Sequence, residues 1–264
     1  MERIRDAFAS LGSNRALIPF IVAGDPDYAT SLAIARAILE SGADMLEIGF
    51  PYSDPLADGP VIQAAALRSL NRGCQLPDCF RLVQDLRKET NKPLIAFTYV
   101  NPLMQYGATR FFAELAQAGG DGVIVPDVPL EEAPDLANAA EKQGIAWIPL
   151  VAPTSGEHRV QAIAQQARGF VYCVSSLGVT GERSAISTQV ESLVQAVKRH
   201  TNLPACVGFG VSTPDHVREI AGYADGVIVG SAYVRRIGDA ASGGGDAIDM
   251  VSHFTMSLKD ACRG

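Results

Sequence analysis

Two carboxylates on a short, stiff tether hold the chemistry that this sequence can offer. Glu47 sits in the apolar run Leu46-Glu47-Ile48-Gly49, and Asp58 closes the loop Phe50-Pro51-Tyr52-Ser53-Asp54-Pro55-Leu56-Ala57-Asp58-Gly59-Pro60. An acid where a buried strand ends, with a second acid on a loop able to fold over it, is the arrangement proton transfer needs. One group moves the proton and the other holds the substrate. Alternation along the strand sends Glu47 opposite to Leu46 and Ile48, into the interior of a barrel. No Lys or Arg stands beside it in sequence, so burial would favour its protonated form. A structural ion pair supplied from elsewhere in the chain is the competing reading. Asp58, just before Gly59-Pro60 and a helical run, reads first as a helix N-cap, as does Asp54. Pro51, Pro55 and Gly59 in the shared loop, too stiff for a casual linker, are what raise the catalytic reading.

Two glycine turns offer a second kind of chemistry. Gly208-Phe209-Gly210-Val211-Ser212 follows one apolar run, and Gly230-Ser231-Ala232 follows the next and opens a helix-like run. Backbone N–H groups at such turns, reinforced by a helix N-terminus, converge on an anion, so the pair reads as a phosphate cradle. Glycines that end strands for steric reasons alone are the alternative. The segment 175–187 is small, polar and punctuated by glycine, as a lid or a plain surface loop would be.

The elements that must position these groups are legible as an alternation. Short runs rich in Val, Ile and Phe at 17–22, 44–49, 93–98, 122–125, 145–150, 169–174, 205–209 and 226–229 are separated by segments of helical period. Eight near-continuous apolar strands joined by helices predict a parallel sheet closed into a TIM-type (β/α)8 barrel, formed by one domain over residues 1–264. An open doubly wound sheet is the runner-up, but Ala23-Gly24-Asp25-Pro26-Asp27 after the first strand lacks GxGxxG. An extra N-terminal helix over 4–11 is expected to close the barrel's bottom. Thr30 or Ser31 should cap the helix after the first strand, and Ser41-Gly42 should stop it. The long segments 50–59 and 175–187 follow the second and sixth strands, so both belong to the C-terminal face, where barrels build active sites.

Composition excludes several classes. The chain has 264 residues, 47% hydrophobic and 19% charged, and a formal charge of −7, which disfavours a nucleic-acid binder. No apolar run is long enough to span a membrane, and the N-terminus lacks a secretory h-region, so a cytoplasmic location, or an organellar one after removal of a transit segment, is expected. Cys74, Cys79, Cys173, Cys206 and Cys262 form no CxxC pair and read as reduced thiols, with Cys173 and Cys206 as core filler. The four histidines all fall in helix-like segments, which weakens a metal site, and no lysine ends a strand, which disfavours imine chemistry.

The chain resembles the tryptophan synthase alpha subunit family along nearly its whole length. The likeness runs through Pro19-Phe20, Gly24-Asp25-Pro26, Glu47-Ile48-Gly49, the block from Ser53 to Pro60, Tyr99-Val100-Asn101-Pro102, Asp127-Val128-Pro129, Gly178-Val179-Thr180-Gly181, Gly208-Phe209-Gly210 and Gly230-Ser231-Ala232. Pro126 and Ser176-Leu177 depart from the pattern and leave the acid pair untouched. The resemblance implies a carbon–carbon lyase that cleaves indole-3-glycerol phosphate to indole and glyceraldehyde 3-phosphate in L-tryptophan biosynthesis. It implies that Glu47 is the general acid/base and that Asp58 accepts the indole N–H. It further implies a phosphate cradle at Gly181, Gly210, Gly230 and Ser231, and an indole pocket of Phe20, Tyr99, Ile124, Leu150, Tyr172, Thr180 and Phe209. The two long loops would close over substrate and face a beta subunit, in an alpha2-beta2 assembly. No cofactor or metal is implied for this chain, pyridoxal phosphate being expected in the beta subunit. A free-standing lyase and a non-catalytic activator of a beta subunit are the other readings.

Overall fold

The computed structural model describes residues 1–175 and 183–263. Its strands are β1 (Ala16–Val22), β2 (Leu46–Gly49), β3 (Leu94–Phe97), β4 (Gly122–Ile124), β5 (Ala146–Trp147), β6 (Leu150–Val151), β7 (Val171–Val174), β8 (Ala205–Gly208) and β9 (Gly226–Val229). All adjacent pairs are parallel, in the order β5-β4-β3-β2-β1-β9-β8-β7-β6. The single fifth strand expected over 145–150 is two short strands. β5 pairs with β4 and β6 with β7, so the covalent link between them closes the ring. Pro149 lies in that link and has no N–H to give, so the ladder breaks there while its carbonyl still accepts from Tyr172 at 3.0 Å.

Period-two alternation divides the core in two. Ala16, Ile18, Phe20, Val22, Met45, Ile95, Phe97, Ile124, Ala146, Phe170, Tyr172, Cys206 and Ile228 pack with one another inside the barrel. Their neighbours along the strands, such as Leu17, Leu46, Ile48, Leu94, Val123, Cys173 and Val227, pack outward under the helices. The helix Glu2–Ala9, shifted by about one turn's half from the expected 4–11, sends Ile4 into the inner cluster, and Phe8 meets Phe170 edge-on at 6.1 Å. This helix covers the N-terminal end.

The helix Tyr28–Glu40 is capped by Asp27, whose carboxylate accepts from the Thr30 amide at 2.9 Å, and not by Thr30 or Ser31. Ser31, one turn in, instead accepts from the Gly24 amide at 3.1 Å. The helix ends at Ser41-Gly42, with Gly42 at φ +112°, as expected. The loop over 50–59 runs unbroken from β2 to the helix Pro60–Asn71. The other long loop is shorter than expected, because a helix already starts at Arg183.

Candidate active site

Glu47 shares the inward parity of Met45 and lies in register with Phe20 on β1 and Ile95 on β3, so it occupies a place in the barrel interior otherwise filled by apolar side chains. It is 2% exposed, and its Oε2 has no hydrogen-bond partner among the described residues. Burial, with the negative charge of Asp58 added, pushes its carboxyl up to about 8. That removes the ion-pair reading of Glu47.

The N-cap reading of Asp58 also fails. Gly59 is the cap of Pro60–Asn71, and it makes no side-chain cap bond. Asp58 uses only its backbone in the turn: its amide donates to Pro55 at 3.0 Å, and its carbonyl accepts from Gln63 Nε2 at 2.8 Å. The carboxyl is thereby left to face the cavity. Burial raises it to about 6, and the Tyr99 hydroxyl moderates the rise. Asp54 in the same loop is exposed and does not line the cavity.

Both acids line one narrow cavity, open on one side, with Phe20, Gly59, Ile62, Phe97, Tyr172, Phe209, Gly210, Ile228, Gly230 and Ser231. The aromatic walls stand edge-on, Phe20 to Phe97 and Tyr172 to Phe209, each at 5.7 Å between centroids. Two inward glycines make room for them. A Cβ at Gly49 would come within 2.5 Å of the Phe20 ring, and one at Gly208 within 2.2 Å of the Tyr172 hydroxyl. The opposite wall is backbone. Phe209 and Gly210 turn left-handed at φ +75° and +77°, and the helix Ser231–Asp239 begins with Gly230 as its cap, so its first-turn amides face the cavity side. The lining thus sets aromatic rings, backbone amides and two acids around one space.

Of the expected site residues, Glu47, Asp58, Phe20, Tyr172, Phe209, Gly210, Gly230 and Ser231 meet at this cavity. Tyr99, Ile124 and Leu150 do not line it. Tyr99 and Ile124 are buried in the inner cluster and Leu150 packs against it, and Tyr99 bears on the site through the Asp58 carboxyl. Thr180 and Gly181 lie outside the described residues. Gly59, Ile62, Phe97 and Ile228 complete the lining and were missed. Phe97 and Ile228 were findable, since inward parity on their strands points them to the same interior as Glu47. Among the described residues, no group of three His, Cys, Asp or Glu could hold a metal ion.

Several motif residues outside the lining brace the loops. Asp25 accepts both Arg68 nitrogens, at 2.8 and 2.9 Å, tying the loop after β1 to the helix after the 50–59 loop. Tyr52 accepts from Asn101 at 2.8 Å and stacks near Tyr99 at 5.5 Å, and Asp127 accepts from the Val100 amide at 2.9 Å.

A family model described as "Tryptophan synthase alpha chain" matches residues 8–263. Among curated proteins, the tryptophan synthase alpha chain of Thermoanaerobacter sp. (strain X514) is 45% identical over 98% of this chain and 99% of its own. That of Microcystis aeruginosa is 47% identical over 99% of both. Among solved structures, the tryptophan synthase subunit alpha of Legionella pneumophila superposes with a TM-score of 0.91 at 34% identity, covering 99% of this chain and 98% of that one. A tryptophan synthase from M. tuberculosis in an aminoacrylate-bound form gives 0.88 at 35% identity over 99% of both chains. Matched over residues 8–263 by this family model, and at 45% and 47% identity by relatives covered almost end to end, the chain belongs to the tryptophan synthase alpha chain family.

Proposed function

We propose that the chain cleaves indole-3-glycerol phosphate by a retro-aldol reaction, giving indole and glyceraldehyde 3-phosphate for L-tryptophan biosynthesis. The observation that carries this reading is the single cavity in which two acids of separated acidity face a floor of backbone amides. With its carboxyl near 8, Glu47 holds its proton at neutral pH; with its carboxyl near 6, Asp58 is largely ionised there. Glu47 delivers its proton to indole C3, and the Asp58 carboxylate, hydrogen-bonded to the ring N–H, stabilises the positive charge that appears on that nitrogen. The Glu47 carboxylate then takes the proton of the adjacent side-chain hydroxyl. As that oxygen becomes an aldehyde, the bond to C3 breaks and its electrons return to the ring. Glu47 ends protonated, as it began. Gly210, Gly230 and Ser231 hold the phosphate, joined by Gly181, and the aromatic walls hold the indole.

In this reading indole passes to a beta subunit that carries pyridoxal phosphate, within a cytoplasmic alpha2-beta2 assembly. Leu56, 82% exposed in the 50–59 loop, and Met104, exposed on the helix Val100–Tyr106, are apolar side chains on the strand-following face and support docking there. No helix among the described residues is long and apolar enough to cross a membrane. Indole release, measured with and without added beta subunit, tests the proposal. Slow release that rises on mixing is expected; fast release from the chain alone would make it a free-standing lyase, and none in either case a non-catalytic activator.

A further inference from the structure

Ser175, the residue after β7, is 2% exposed and does not line the cavity. Its amide donates to the Gly208 carbonyl at 2.8 Å, and its hydroxyl lies 2.8 Å from that carbonyl and 2.5 Å from the carbonyl of Phe209. The chain it grips is unusual. Phe209 is the one non-glycine residue with positive φ among the described residues, and Gly210 continues the left-handed turn. A side chain with a Cβ holds that conformation only where its surroundings impose it.

The C=O and N–H of a trans peptide point in opposite directions. With the Gly208 and Phe209 carbonyls both drawn toward Ser175, the amides of Phe209 and Gly210 are aimed the other way, to the side on which both residues line the cavity. We infer that Ser175 is a positioning residue for the anion cradle: its hydroxyl fixes the left-handed turn so that two backbone N–H groups face the substrate's phosphate. This rests on the reading of the cavity as a phosphate site. The hydroxyl's part is separable from the strand's, because the Ser175 amide keeps its bond to Gly208 whatever side chain is present.

The full chain, titrated calorimetrically with glycerol 3-phosphate and separately with indole, tests the inference. Ser175→Ala should bind glycerol 3-phosphate about three- to tenfold more weakly, the scale of one lost hydrogen bond, and bind indole as before. In turnover KM should rise while kcat changes little, and Ser175→Thr, which restores the donor, should recover both. Wild-type affinity for glycerol 3-phosphate in Ser175→Ala overturns the inference. So does an equal loss of both ligands, which would mean that the hydroxyl supports the fold at large. Gly230→Ala separates this from the underlying reading, since a Cβ there meets nothing closer than 3.6 Å. If Gly230→Ala weakens glycerol 3-phosphate while Ser175→Ala does not, only the role of Ser175 fails; if neither weakens it, the phosphate site fails too.

Discussion

Two carboxylates are buried to the same degree in this barrel and are treated in opposite ways. Asp121, just before β4 at the N-terminal end, is 1% exposed at its side chain. It accepts from Arg3 at 2.9 Å, from Arg87 at 2.6 Å and from the Leu94 amide at 2.9 Å. Glu47, toward the other end, has among the described residues no compensating cation, one oxygen without a partner and a second acid across the cavity. A buried charge that is paired and hydrogen-bonded ties elements together; an unpaired acid keeps its proton and has it to give. Burial alone therefore does not separate structure from chemistry. The partners do.

The largest effect that would sharpen the contrast is on rate. Glu47→Gln keeps the shape and removes the transferable proton, so turnover should fall by roughly two to four orders of magnitude. Near-normal turnover in Glu47→Gln, measured as indole release, would break the comparison.

The next effect is on stability, and its sign should differ between the two sites. Asp121→Ala leaves Arg87 half-buried without its partner and should cost on the order of 3 kcal/mol, read as a fall in melting temperature of about 8 °C. Glu47 works in reverse. Its carboxyl is raised in the folded state, so the folded chain holds a proton that the unfolded chain releases between about 4.5 and about 8, and wild-type stability declines as pH rises through that window. Glu47→Gln should therefore be more stable than wild type by roughly 4 kcal/mol at pH 8 and by less than about 1 kcal/mol at pH 5. Thermal melts of both variants at the two pH values would show it, and a destabilised Glu47→Gln at pH 8 would mean that Glu47 has a partner after all.

The regular part of the barrel was legible because the signal is local. Seven of the strands fall where the apolar runs place them, and 226–229 agrees at both ends. The split at Pro149 was written in the sequence as a missing N–H, but its consequence depends on which strands β5 and β6 pair with, which only closure of the sheet decides. The cap of Tyr28–Glu40 turned on a three-residue choice among residues that can all cap, and Asp27 has the stronger acceptor. At the site, parity put Glu47 inside, but nothing local says whether an arginine arrives from another element, as Arg3 does for Asp121 across the whole length of chain between them. Asp58 was ambiguous for a related reason: cap or catalyst depends on where the 50–59 loop lies, and the cap position fell one residue later, on Gly59. Tyr99 and Ile124 share the inner cluster of Phe97 and Tyr172, and Leu150 packs against it, without any of the three lining the cavity itself.

The protonation state of Glu47 is the most direct test. Infrared difference spectra of wild type minus Glu47→Gln should show a protonated carboxyl C=O band at pH 7 that fades as the pH is raised through about 8. A carboxylate already ionised at pH 7, titrating near the ordinary value of 4.5, would contradict the account.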